Sequence, residues 1–99
     1  MSALLTPAEV QESLDGLAHW AHREGALVKR YRFATYMDGI RFVELVAAEA
    51  ESRDHHPDLL VGYREVTAFL STHSVGGVTR LDVDLARAIE KIAAVAEAS

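Results

Sequence analysis

Five histidines stand at positions 19, 22, 55, 56 and 73, and imidazole is the side chain that takes and gives protons nearest neutral pH. They are not equivalent. His55 and His56 are adjacent, follow Glu51 and Asp54, and are stiffened by Pro57. His73 stands just before the Gly76-Gly77 pair. Imidazoles with carboxylates beside them are the equipment of general acid–base catalysis. Two other readings use the same side chains. Glu51 and His55 have the i, i+4 spacing that could share a metal ion, with His73 as a third ligand. Against this, neighbours such as His55 and His56 seldom aim both rings at one ion, and no H-x-x-x-H or H-E-x-x-H pattern occurs. The blander reading has the histidines capping helix ends and satisfying loop carbonyls. His19 and His22, flanking Trp20, read as edge or solvated histidines. Ser71, Thr72 and Ser74 lie near His73, but no G-x-S-x-G elbow supports a nucleophile there. There is no G-x-G-x-x-G or Walker loop.

The elements that must position these residues are legible from period and punctuation. Thr6-Pro7-Ala8-Glu9 is a helix start, with an N-cap Thr, Pro at N1 and Glu at N3. Val10, Leu14 and Leu17 give that helix a narrow apolar stripe, fading at Gly16 to Ala18. Trp20 to Arg23 and Ala26 to Phe33 read as strands joined by a turn at Glu24-Gly25. In the second strand Leu27, Tyr31 and Phe33 share one face and Arg30 and Arg32 the other, while Val28 breaks the alternation. From Tyr36 to Asp54 the period becomes helical, with Ile40, Val43, Ala47 and Ala50 as the stripe and Glu44 and Glu51 off it. Pro57 pushes the residue before it out of helical geometry, so His55 and His56 sit at or just past the helix end. Leu59 to Tyr63 and Val66 to Ser71 form a second strand pair with a turn at Arg64-Glu65. A hairpin there would bring His73 back beside His55 and His56. Thr79 with Asp82 reads as the structural start of a last helix carrying Leu85, Ile89, Ile92 and Ala96 on one face.

The order α-β-β-α-β-β-α, with paired strands and short turns, implies an α+β fold: a four-stranded antiparallel sheet with helices on one face. Ninety-nine residues make one domain, 1–99, and a chain of this size buries roughly 65% of its unfolded surface. Hydrophobic residues at 49% and charged residues at 25% are ordinary globular composition. Ten Lys and Arg against fifteen Asp and Glu leave a net charge of −5, which offers no footprint for nucleic acid or an anionic membrane. The absence of cysteine removes disulfides, thiol chemistry and Cys-based zinc sites. Without a signal-like start or a long apolar run, a cytoplasmic protein with no membrane contact is expected. One uncovered sheet face or edge predicts a homodimer or homotetramer.

One set of residues has a specific resemblance. Glu51-Ser-Arg-Asp-His55-His56-Pro57, then Tyr63, then Thr72-His73, then Gly77-Val-Thr-Arg-Leu-Asp82 closely resembles the signature of the pterin-4a-carbinolamine dehydratase family. The likeness extends more loosely through Trp20, Arg30 to Phe33, Phe42-Val43 and Leu85-Ala86. One departure is visible. Where animal members follow His-His-Pro with an acidic residue and Trp, this chain has Asp58 and Leu59.

The resemblance implies the same α+β fold and the dehydration of a 4a-hydroxytetrahydropterin to the quinonoid dihydropterin, in tetrahydrobiopterin recycling, with no metal and no cofactor. By the same analogy, His55 and His73 transfer protons at the departing hydroxyl, and His56 orients the pterin and accepts a proton. Glu51 and Asp54 would fix imidazole orientation, with Pro57 beside them in the pterin pocket, and the backbone around Thr72, Ser74 and Val75 would read the pterin edge. Some proteins resembling this family act instead as dimerisation cofactors for transcription factors or as assembly factors for metabolic enzymes. A non-catalytic binding module is therefore the alternative.

Overall fold

The computed structural model describes residues 3–98, and its first element begins at the expected capping box. The Thr6 hydroxyl accepts from the Glu9 N–H, while the Glu9 carboxylate accepts from the Thr6 N–H. Helix α1 (Pro7–Leu14) stops short of the expected Gly16 to Ala18. Leu17 is nevertheless buried, because a turn bonding its N–H to the Leu14 carbonyl carries it back to the core.

Strands β1 (Ala21–Arg23) and β2 (Ala26–Arg32) pair antiparallel. The turn between them holds both Glu24 and Gly25 at positive φ, 49° and 77°, the form whose twist matches a two-residue hairpin. Helix α2 (Tyr36–Arg53) follows, then β3 (Asp58–Val61) and β4 (Glu65–Leu70), a 3-10 turn at His73–Val75, and α3 (Arg80–Val95). The sheet runs β1-β2-β4-β3, all antiparallel. The expected element order and architecture are those observed. Strand limits differ by one or two residues, and the β3–β4 turn is closed by Gly62 N–H bonding to the Glu65 carbonyl, before the expected Arg64-Glu65.

The alternation in β2 is unbroken. Leu27, Lys29 and Tyr31 face the helices opposite Leu70, Ala68 and Val66, while Val28, Arg30 and Arg32 lie on the uncovered face opposite Phe69, Thr67 and Glu65. Val28 is an apolar residue on that outer face, and the odd residue inside is Lys29. Helix α2 is turned slightly from the expected stripe. Its buried residues are Gly39, Phe42, Val46 and Ala50, with Ala47 exposed. Phe42 sets this rotation by packing its ring 5.0 Å from Tyr31 and 5.1 Å from Phe33. Contact with two aromatic rings buries more apolar surface than turning Ala47 inward would. Helix α3 buries Val83, Leu85, Ala86 and Ile89 between α2 and the sheet. No helix among the described residues is long and apolar enough to cross a membrane.

Candidate active site

Asp54 ends α2 in the left-handed region, φ 49°, a conformation that Asp tolerates better than most residues. Its N–H and that of His55 bond back to the last turn of α2, His55 reaching the Ala50 carbonyl at 3.1 Å. The chain is thereby turned so that His55 Nε2 lies 2.6 Å from Asp82 Oδ1. Asp82 is fully buried in the first turn of α3, where the helix dipole favours a negative charge.

The second oxygen of Asp82 is equally occupied. Oδ2 accepts from the Thr72 hydroxyl and from the Thr79 N–H, each at 2.8 Å. Since Thr72 spends its proton on the carboxylate, the 2.8 Å contact between the two threonine hydroxyls has Thr79 as donor. The Thr79 oxygen in turn accepts from the Leu81 N–H. No buried side-chain polar atom lacks a partner among the described residues. A carboxylate only accepts, so His55 Nε2 carries its proton toward Asp82. Nδ1 is left as the nitrogen available to a substrate.

His56 is half-exposed, and its Nε2 is hydrogen-bonded to the Glu51 carboxylate. Glu51 is thus bonded to the imidazole of His56. Asp54 forms no hydrogen bond to an imidazole, and its contribution is the backbone reversal that delivers His55. The carboxylate behind His55 is Asp82, which in the sequence marks a helix start and closes the family-like signature that opens at Glu51. With Glu51 on His56 and Asp82 on His55, the Glu51–His55–His73 ligand set is not assembled. The described residues contain no group of three or more His, Asp or Glu arranged for a metal ion.

His73 arrives from the other side. Asp58, the first residue of β3, pairs with Phe69 near the end of β4, so the chain leaving β4 runs beside the chain entering β3. Thr72 N–H bonds to the Gly77 carbonyl at 2.8 Å, and Gly76 takes φ 70° to close the loop. His73 and Ser74 are exposed and Val75 half-buried within that loop. His73 touches neither other imidazole through a hydrogen bond, yet its neighbour Thr72 shares the Asp82 carboxylate with His55. Pro57 is half-buried between His56 and β3. Leu59, where animal members carry Trp, packs against the core. His19 lies in an exposed turn at φ 68°, and His22 pairs with Leu27 in β1, both apart from this network.

A family model described as pterin 4 alpha carbinolamine dehydratase matches residues 3–92. The chain belongs to that family. A Mycobacterium avium protein provisionally named pterin-4-alpha-carbinolamine dehydratase is 46% identical over 90 residues, covering 91% of this chain and 96% of the relative. A Metallosphaera sedula protein of the same provisional name is 43% identical, covering 89% and 92%. Among solved structures, a protein from Brucella melitensis described as a transcriptional coactivator/pterin dehydratase superposes with a TM-score of 0.89. It is 34% identical and covers 92% of this chain and 99% of its own. A pterin dehydratase-like protein described as a RuBisCO assembly factor shares the fold at TM-score 0.61 and 23% identity, over 75% of this chain and 86% of its own.

The family signature does not include a second polar cluster, and neither did the sequence reading. Glu90 Oε1 accepts from Trp20 Nε1 at 2.7 Å, from Tyr31 Oη at 2.8 Å and from Lys29 Nζ. Burial pushes the Glu90 carboxyl up, but the bonds from Lys29, Tyr31 and Trp20 outweigh it and hold the carboxyl below its ordinary range. Burial raises the Tyr31 hydroxyl well above the usual value, and the bond to Glu90 adds to this. The signal that could have exposed the cluster is Lys29 itself. It falls between Leu27 and Tyr31 at the inward period of β2, where a charge needs a partner.

Proposed function

We propose that this protein is a 4a-hydroxytetrahydropterin dehydratase, a carbon–oxygen lyase acting in tetrahydrobiopterin recycling. The observation that carries the reading is the His55–Asp82 contact, with Thr72 on the same carboxylate beside His73. The reaction breaks the bond between C4a and its hydroxyl oxygen and removes the proton on N5, leaving a C4a=N5 double bond and water. One group must give a proton to the departing hydroxyl and another must take one from nitrogen.

His55 and His73 serve the hydroxyl, and His56, held by Glu51, orients the pterin and accepts a proton. Asp82 fixes which His55 nitrogen faces the substrate and stabilises the ring when it is charged. The backbone from Thr72 to Val75 offers amide and carbonyl groups to the flat pterin edge. Positioned acid–base groups supply ~10²–10⁴-fold, and neither proton step calls for a cofactor. The protein works in the cytoplasm as a homo-oligomer. Turnover of synthetic 4a-hydroxytetrahydropterin, followed by loss of the carbinolamine absorbance, tests this directly. A rate equal to that of buffer defeats it.

A binding role is the second reading, favoured by the coactivator half of the Brucella melitensis description. It predicts that a protein with all three histidines replaced still performs its cellular task.

A further inference from the structure

The three imidazoles are not held alike. His55 rests on Asp82 and His56 on Glu51, whereas His73 is bonded to no carboxylate among the described residues. Its place is set by the backbone of its loop. The Thr72 N–H bonds to the Gly77 carbonyl at 2.8 Å, and the Gly76 N–H reaches back to the Thr72 carbonyl at 3.0 Å. Gly77 closes the loop, so whatever fixes Gly77 also fixes His73.

What lies on Gly77 is the segment before α1. The Leu5 N–H bonds to the Val78 carbonyl at 2.9 Å, and the Leu5 side chain packs against the core. The bonds from Thr6 hold the Glu9 carboxyl below its ordinary range, and Arg80 at the start of α3 adds a smaller attraction. Residues 5 and 9 are therefore both drawn to the stretch 78–80. Leu4 is exposed, yet it lies so close over Gly77 that a Cβ built there would stand 2.8 Å from Leu4 Cδ1. Gly77 is buried and its φ is not positive. The missing side chain at Gly77 thus answers to the close approach of Leu4 and not to a turn.

We propose that Leu4 is a positioning residue for the reaction: seated on Gly77, it holds the loop that presents His73 to the substrate. The inference rests on the dehydratase reading. Leu4 touches no reacting atom and acts through Gly77. Without it the Thr72–Gly77 bond opens more often, and a group displaced by about 1 Å can lose ~10²-fold in rate. His55, anchored on Asp82, keeps its place.

The test pairs amide exchange with kinetics on the whole protein. In Leu4→Ala the Thr72 and Gly76 amides should exchange about tenfold faster, while the His55 amide, bonded to the Ala50 carbonyl, should keep its rate. For 4a-hydroxytetrahydropterin, kcat should fall about tenfold with KM nearly unchanged. Leu4→Met, of similar volume, should behave as wild type. Gly77→Ala pushes its new methyl against the exposed end of Leu4, which gives way, so this variant should match Leu4→Ala. The two changes together should cost about tenfold, not the roughly hundredfold of independent effects. Melting temperatures of the Leu4 variants should stay within about 4 °C of wild type. Wild-type exchange or wild-type kcat in Leu4→Ala, or losses that multiply in the double variant, overturns the inference and leaves the dehydratase reading standing. No turnover by the wild-type protein overturns both.

Discussion

Asp82 Oδ1 and His55 Nε2, 2.6 Å apart, join the first turn of α3 to the end of α2. The carboxylate is fully buried and its other oxygen is held by Thr72 and Thr79, so the imidazole is attached to a rigid post. Nothing else in the site is anchored so deeply.

Replacing that post separates positioning from folding. Asp82→Ala strands the Thr72 hydroxyl and the Thr79 N–H in the interior, at about 1–3 kcal/mol for each unsatisfied group, and urea denaturation should register the loss. Asp82→Asn keeps the shape and most of the bonds but can present an N–H to His55, favouring the wrong tautomer. Its stability should stay closer to wild type while kcat falls ~10²-fold and KM changes little. An Asn variant with full kcat would remove Asp82 from the mechanism.

The histidines themselves should separate by role. His55→Ala and His73→Ala should each lower kcat by ~10²–10⁴-fold, with circular dichroism unchanged. His56→Ala, at a half-exposed site, should affect KM as well as kcat, since its ring is proposed to hold the pterin. Wild-type rates in both the His55 and the His73 variants would end the acid–base assignment.

Chelation gives an independent check on the chemistry. The carboxylates nearest the imidazoles are already engaged, Glu51 by His56 and Asp82 by His55 and two threonines. Activity should survive exhaustive treatment with a strong chelator. Stoichiometric zinc in the purified protein, with activity lost on its removal, would instead favour the metal reading.

How much of this was legible beforehand follows from what each signal reports. Period and punctuation report local geometry, so the capping box at Thr6, the Glu24-Gly25 turn and the order of elements are in the sequence. The histidine segments could be brought together only by assuming the β3–β4 hairpin, and the Asp58–Phe69 pairing is that hairpin. The partner of His55 is another matter. Asp82 satisfies a helix start whether or not anything bonds to its outer oxygen, and although the family-like signature spans both His55 and Asp82, a shared signature does not say that the two side chains touch. Glu51 and Asp54 are close in sequence, which made them the natural candidates, but the chain reversal at Asp54 takes His55 away from both. The rotation of α2 was hidden for a similar reason. Ala47 and Val46 are both apolar, and only the Tyr31 and Phe33 rings across the core decide which one is buried.

The Glu90 cluster should govern stability against pH. In the folded protein the Glu90 carboxyl lies below its ordinary value of 4.5. Its stabilisation is therefore complete above that value and lost as pH falls through the lower, folded one. Tyr31 acts at the other end. Its hydroxyl is raised above the ordinary 10.0, so its contribution is full below that value and declines as pH rises beyond it. Melting temperature measured from acid to alkaline pH should show both limbs. Glu90→Gln should flatten the acid limb while lowering stability at neutral pH, because Lys29 is left without its counter-charge. An acid limb identical to wild type would show that other carboxylates control it.

The last expectation concerns assembly. Strand β3 is an edge of the sheet, and Leu60 and Val61, with Tyr63 just beyond them, are exposed. An unpaired edge with aliphatic side chains is a template for another strand. A second copy paired antiparallel about a two-fold axis would satisfy both edges with one self-complementary contact. Charges on such an edge oppose pairing, so Leu60→Lys with Val61→Lys should return the protein to a monomer without disturbing its circular dichroism. Light scattering at micromolar concentration should give at least twice 10.8 kDa for wild type and the single mass for the variant. A wild-type monomer would contradict the homo-oligomer, and an oligomer that survives both lysines would place the interface away from β3.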